Sequence, residues 1–315
     1  MLDVNPAFVL AGLAVGFVVG LTGMGGGALM TPALVFFFNV NPLTAISSDV
    51  VTSLFMKPAG AIVHIVRKTA HLPLVMWLCI GSVPSAFLGA VLVDRLRIHE
   101  GFEQTLLTIL GAALLITSGG LIMRAWSTML RYNSAAGEGP AEPERPELQV
   151  KRLITVLLGA LGGLLVGLTS VGAGSLIITL LLLVYPTLKP SQLVGTDLVQ
   201  AIPLVASASL GHLLFGEVSF GLTVALLIGA IPGTFIGAQV SARAPGGLIR
   251  RALAILLMAS GLKLVGASTE WVLISSGAAI VLGPVVWAFL RRRYRGTRAR
   301  TRTGQTLESG GDTSQ

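Results

Sequence analysis

Apolar stretches close to the ~20 residues that a helix needs to cross a ~30 Å hydrocarbon core recur along this chain. They include Ile46–Val66, Leu72–Val93, Gln104–Met123, Gln192–Leu214, Phe220–Ser241, Ala252–Val265 and Trp271–Leu290. So many spans predict an all-α, polytopic membrane helical bundle with lipid as its main solvent. Of the 315 residues 53% are hydrophobic and 11% charged, with a mean hydropathy of +0.82, which a water-soluble domain cannot carry without large exposed apolar patches. The opening stretch Ala7–Leu21 is also apolar, but Asp3 and no basic residue precedes it, so it is expected to stay in the mature protein rather than act as a signal peptide. Cys79, the single cysteine, lies in an apolar span, which excludes an intrachain disulfide and a Cys-rich metal site.

The chain carries a net charge of +8, yet seven of its 22 basic residues fall in Arg291–Arg302, directly after a span and without a nucleic-acid recognition motif. That placement reads as a topology signal, with no nucleic acid as partner.

The sequence is internally duplicated. Residues 16–27 (GFVVGLTGMGGG) align with 163–174 (GLLVGLTSVGAG) at an offset of 147, seven of twelve positions being identical. An offset of 148 then maps Pro42 to Pro190, Asp49 to Asp197 and His64 to His212, and residues 81–90 (GSVPSAFLGA) onto 229–238 (GAIPGTFIGA). Chance apolar similarity would not keep Gly, Pro, Asp and His in register. The expected organisation is a first membrane repeat over 1–123, a cytoplasmic linker over 124–152, a second repeat over 153–266, a final span over 267–290 and a basic, disordered tail over 291–315. Ser134–Pro146, rich in Gly, Pro, Ala and Glu, reads as a flexible loop.

In each half a Gly cluster interrupts an apolar stretch. Ala28–Phe38, after the first cluster, gives ~16 Å of helix, about half the hydrocarbon thickness, and Ser175–Val184 is shorter still. Each half is therefore expected to begin with a V-shaped, broken helix hairpin that either re-enters or crosses twice. Three further spans would then turn the second half upside down, giving inverted repeats. Basic residues agree with this. Arg67, Lys68, Arg124, Arg131, Arg145, Lys151, Arg152, Lys189, Arg243, Arg250, Arg251 and the seven tail arginines fall on one side, against Arg95, Arg97 and Lys263 on the other. By the positive-inside rule the N-terminus is outside and the C-terminus cytoplasmic, in the inner or plasma membrane.

Irregular backbone at membrane depth is tolerated only where it packs in protein or lines a cavity, so broken helices mark a site. Gly25, Gly26 and Gly27 precede one short helix, and Gly172, Ala173, Gly174 and Ser175 the other. Both breaks can present free N–H groups and a positive dipole end to an anion. Close helix crossing is the structural alternative for these glycines. Thr22 in the first cluster and Thr169 and Ser170 in the second add hydroxyls. Ser47-Ser48-Asp49, matched by Gly195-Thr196-Asp197, opens the next span in each half and can complete a cavity from the opposite side. Asp49 and Asp197 read either as caps or as coupling groups, and Lys57, in an apolar span with Val205 as its counterpart, either as a substrate charge or as a snorkelling or Asp49-paired residue. His64 and His212 suggest interfacial hydrogen bonding ahead of a proton relay, and His71 and His99 read as loop residues.

With the duplicated Gly-rich cluster, the downstream Pro32 and the Gly195-Thr196-Asp197 turn, residues 8–265 resemble the sulfite exporter TauE/SafE family, also called the toluene sulfonate uptake permease family. The resemblance implies secondary transport of sulfur-containing anions such as sulfite, thiosulfate or organosulfonates, with a small-anion substrate, no cofactor and no enzymatic activity. Ser47-Ser48-Asp49 and Lys57 depart from the family pattern. A permease for another small solute or a metal ion is the alternative, and the chain lacks a P-loop for primary active transport. An intramembrane hydrolase from Ser175 and His212 is disfavoured because Ala28 is the counterpart of Ser175, and a scaffold would not need two broken helices.

Overall fold

The structure, a computed structural model, describes residues 5–22, 26–66, 68–135, 149–172, 176–188, 190–241 and 246–280. Helices fill them: α1 (Pro6–Thr22), α2 (Gly27–Phe38), α3 (Pro42–Val66), α4 (Leu72–Leu96) and α5 (Phe102–Ala135), then α6 (Arg152–Thr169), α7 (Leu176–Val184), α8 (Pro190–Phe215), α9 (Phe220–Ser241) and α10 (Gly246–Leu264). A further helical stretch covers 269–280. The second five repeat the first in order, and all but the last pair, α5 with 34 residues and α10 with 19, are of similar length. The break between α1 and α2, and that between α6 and α7, falls on the Gly cluster of each half.

Local chemistry sets several boundaries. Asn39, in the left-handed region at φ 50°, stops α2. Asn41 Oδ1 then accepts from Leu43 N–H at 2.9 Å and caps α3, whose first residue is Pro42, where a missing N–H costs nothing. At α4, His71 Nδ1 accepts from Leu74 N–H at 3.4 Å beside a Pro in the first turn. α5 continues to Ala135, past the expected repeat boundary at Met123 and into the start of the Ser134–Pro146 stretch, the rest of which, 136–146, lies outside the described residues.

Among the described residues five helices are long and apolar enough to cross a membrane: Leu72–Leu96, Phe102–Met123, Arg152–Thr169, Ser191–Phe215 and Phe220–Gly237. α3, which covers the expected Ile46–Val66 span, carries Ser47, Ser48, Asp49, Thr52, Ser53 and Lys57, all buried within the protein, so its polar face is solvated by its neighbours. The outer surface is apolar instead, with Phe37, Val66, Phe235 and Ile80 exposed as lipid-facing side chains require.

The halves pack by exchange. α1 lies against α9 and α6 against α4, so the first helix of each repeat meets the fourth helix of the other. Close backbone approach makes this contact, and it occurs twice. A Cβ on Gly12 would strike the Leu226 carbonyl, and one on Gly159 the Leu78 carbonyl; Gly81 meets Val156 as Gly229 meets Val9. The offsets of 147 and 148 turn each contact into its counterpart. Along the centre α3 packs on α8 in antiparallel fashion: Ser209 Oγ donates to the Val50 carbonyl at 3.2 Å, and Ser48 Oγ, near the start of α3, accepts from Ser219 N–H, beyond the end of α8, at 3.2 Å.

Candidate functional site: the meeting of the helix breaks

α1 ends at Thr22, whose hydroxyl donates back to the Val18 and Val19 carbonyls at 2.9 and 3.2 Å. α6 ends in the same way at Thr169, which donates to the Leu165 carbonyl at 2.6 Å. Ser170 then enters the left-handed region at φ 60°, its N–H bonded to Val166 O at 2.8 Å, and Gly172 follows at φ 123°, a conformation that L side chains rarely adopt. On the other side, α2 starts from Gly26 with no side-chain cap; Leu29 N–H turns back to the Gly26 carbonyl at 2.9 Å, which leaves the Gly27 and Ala28 N–H groups without a hydrogen bond among the described residues and open to a ligand.

The two breaks touch. A Cβ on Gly27 would run into the Ser170 carbonyl, with Ser170 Oγ only 2.9 Å away. One on Gly26 would find ordinary contacts instead, Ser53 Oγ at 3.6 Å and Asp49 Oδ1 at 3.7 Å. The break of the first repeat is thus flanked by the break of the second and by the polar run of α3.

Asp49 is fully buried, and its Oδ2 accepts from Thr31 Oγ1 of α2 at 2.7 Å. The hydroxyls of Ser170 and Ser53 and the Lys57 ammonium act on the same carboxylate electrostatically, yet neither Asp49 Oδ1 nor Ser53 Oγ closes a hydrogen bond within 3.5 Å among the described residues. Lys57 is 7% exposed, and the buried carboxylates of Asp197 and Asp49 both act on it electrostatically. Asp49 is the eighth residue of α3 and Asp197 the eighth of α8, so each lies ~10 Å of helix from its own start. Because the helices run antiparallel in the Ser209–Val50 register, Lys57 falls between the two carboxylates along the bundle axis.

Ser47, Ser48 and Thr196 hold connections together. Ser48 Oγ accepts from Ser219 N–H, and at the equivalent place Thr196 Oγ1 accepts from His71 N–H at 3.0 Å. Ser47 Oγ accepts from Glu217 N–H at 3.2 Å and contacts His212 Nδ1 at 3.0 Å. His212 is wholly buried, with Nε2 2.8 Å from the Gly167 carbonyl. The interfacial position expected for His212 gives way to a core one, because the α8–α9 connection folds back over it. Both ring nitrogens are engaged, which leaves no base for the hydrolase reading. His64 instead bonds Thr69 Oγ1 at 2.7 Å.

Gly25, Gly174 and Ser175 lie outside the described residues. Sequence reasoning missed Gln200, one turn beyond Asp197. It is fully buried and accepts from Ser82 Oγ at 3.2 Å, while its Nε2 has no hydrogen-bond partner among the described residues. A lone amide in an apolar span was the available signal. The position of Lys57 between the levels of Asp49 and Asp197 was also out of reach, since it depends on how α3 crosses α8.

A duplicated, multi-pass helical membrane protein with charged groups buried beside two broken helices belongs to the class of membrane transporters. The chain is a member of the sulfite exporter TauE/SafE family, which matches residues 8–264. It is 36% identical over 263 residues to the "Probable membrane transporter protein YjnA" of Bacillus subtilis (strain 168), covering 83% of this chain and all of that protein. It is 25% identical to YunE, covering 82% of this chain and 96% of that one, and 24% identical to YdhB, covering 81% and 98%; both are described as probable membrane transporter proteins of the same organism. No solved structure matches. The chain is therefore a transporter-family membrane protein and not an enzyme.

Proposed function

We propose that the chain is a secondary transporter for a small anion of the sulfur-oxyanion class, such as sulfite, thiosulfate or an organosulfonate, held where the two helix breaks meet. The observation that carries this is the contact of Gly27 with Ser170, at a helix start that lies against α3, the helix in which Lys57 is buried. It joins an uncapped helix start, which favours negative charge, to a buried ammonium. Gly26, Gly27 and Ser170 would contact the anion, with the first N–H groups of α2 as donors and Lys57 as the nearby charge. Thr22, Thr169, Gly172 and the undescribed Gly25, Gly174 and Ser175 would shape the breaks, while Ser47, Ser48 and Thr196 would brace the helices behind them. The family's sulfur-anion chemistry fits an oxyanion that accepts several N–H bonds.

The repeats would be inverted, with the N-terminus outside and the C-terminus in the cytoplasm. Exchange packing of α1 with α9 and α6 with α4, and the antiparallel α3–α8 contact, support inversion, and the Lys/Arg bias supports the direction. A metal cargo is less well served, because no group of three or more His, Cys, Asp or Glu forms a metal site among the described residues.

The test is flux in proteoliposomes of the pure protein, with sulfite, thiosulfate, a sulfonate and nitrate run in parallel. Saturable movement of the sulfur anions but not nitrate is expected. Equal or absent flux of all four would reject the reading.

A further inference from the structure

We propose that Asp49 takes up one proton when the anion enters, so that proton and anion cross the membrane together; this rests on the anion-transport reading above. The argument is one of charge in a buried place. Lys57 is the buried cation beside Asp49 and Asp197, so the ionised trio carries one net negative charge before any anion arrives. Adding an anion without a compensating cation would place two uncompensated negative charges where solvation is poor, which burial strongly disfavours. One positive charge must come in with the substrate.

Three observations put that charge on Asp49. In the antiparallel Ser209–Val50 register Lys57 stands nearer the level of Asp197 than that of Asp49, so Asp49 is the carboxylate farther along the bundle from the cation. Asp49 Oδ2 is held by Thr31, whereas Oδ1 and the neighbouring Ser53 Oγ are both buried without a hydrogen bond among the described residues. A proton on Oδ1 would add a donor in the neighbourhood of the Ser53 hydroxyl, which can accept it. Gly26, at the helix break, lies against the same oxygen, so the protonation site borders the anion site.

The other titratable groups packed on α3 are accounted for. The Gly167 carbonyl can only accept, so His212 carries its proton on Nε2; Ser47 Oγ already accepts from Glu217 N–H and is free to donate to Nδ1. That ring is satisfied when neutral. α2 and α9 contain no charged residue, and on α5 Glu103 is bonded to Asn41 at the helix end while Arg124 and Arg131 lie toward the other end. Sodium is less well provided for, since the Gly26 carbonyl is already occupied by Leu29 and Met30 N–H. The proton comes from bulk water on one side and leaves from Asp49 Oδ1 on the other, and no bond of the anion is broken.

The experiment is titration calorimetry of sulfite onto the purified full chain in buffers of different ionisation enthalpy, in sodium-free medium, together with flux driven by a pH gradient at zero membrane potential. Wild type is expected to take up about one proton per anion bound, and its affinity to fall about tenfold per pH unit above the titration of Asp49. Asp49→Asn should take up none and lose the response to the pH gradient. Should Asp49→Asn not fold, Ser53→Ala must move the pH midpoint of binding, and an unmoved midpoint overturns the proposal. Saturable flux without proton uptake, flux that requires sodium, or proton uptake that survives Asp49→Asn would each overturn it while leaving anion transport standing. No flux at all would instead reject the transport reading on which it rests.

Discussion

The Ser170 carbonyl occupies the space that a side chain on Gly27 would need, so the two helix breaks are in backbone contact. Neither partner is the flexible end of a side chain. Gly27→Ala must therefore separate the breaks, and we expect a loss of about 1–3 kcal/mol typical of overpacking, together with loss of anion binding. Gly26→Ala meets only van der Waals contacts beyond 3.5 Å and should fold like wild type while binding the anion more weakly. Thermal unfolding in detergent and anion titration of both variants check the contrast. Equal stability of the two would mean that the breaks do not touch.

Reciprocal packing predicts reciprocal damage. Gly12→Ala and Gly159→Ala each push a methyl into a carbonyl of the opposite repeat, and each should lower stability by about 1–3 kcal/mol. Gly119→Ala, with open space around the added carbon, should gain slightly from its better helix propensity, by under about 1 kcal/mol. Unfolding midpoints of the three variants decide this, and a tolerated Gly12→Ala beside a damaging Gly159→Ala would break the symmetry argument.

Lys57 gives a double-mutant cycle. If Asp197, the carboxylate nearer its level along the bundle, is its stronger partner, Lys57→Met and Asp197→Asn should show a coupling energy of about 1–3 kcal/mol, larger than that between Lys57→Met and Asp49→Asn. The readout is thermal stability, with anion affinity as an independent measure. A larger coupling to Asp49 would restore the simpler pairing along one helix.

Orientation has its own check. In a Cys79→Ala background, cysteines placed at Gly137 and Gly311 should resist an impermeant thiol reagent added outside intact cells, and react after lysis. Labelling of either without lysis would reverse the topology.

The repeat and the two breaks were legible because Gly, Pro, Asp and His stay in register across the offset. The sequence also placed Lys57 in a helix interior, but it put the two aspartates at the entry of the next span, whereas each lies buried as the eighth residue of its helix. It did not reveal that Gly12 and Gly159 bind the fourth helix of the opposite repeat, since composition says that a glycine allows close approach but not to what. Nor did it separate Ser48 and Thr196, which accept backbone N–H groups of the opposite half, from ligand-binding hydroxyls. A serine at a helix start has the same letter in either role. The polar residues of α3 are spaced among Leu, Val and Ile, and only the packing shows them turned inward.

The two repeats satisfy the same histidine in different ways. His212 Nδ1 meets Ser47 Oγ, which stands on the helix of the other repeat, whereas its counterpart His64 meets Thr69 Oγ1, five residues along its own chain. The repeat-equivalent of Ser47 is Gly195, where an added Cβ would come within 2.8 Å of Thr69 Oγ1, and the equivalent of Thr69 is Glu217. Both hydroxyls thus come from the first half, one from α3 and one from the connection that follows it. Ser47→Ala should leave the buried Nδ1 of His212 without a donor and cost about 1–3 kcal/mol. Copying the other half, as Ser47→Gly with Glu217→Thr, should recover most of that loss by returning a hydroxyl from the α8–α9 connection. The double variant gives up the Arg97–Glu217 ion pair at 3.3 Å, but both side chains there are more than 40% exposed, so that loss should be below about 1 kcal/mol. Unfolding midpoints of the three proteins test it: a double variant no more stable than Ser47→Ala would show that the two histidine contacts are not interchangeable.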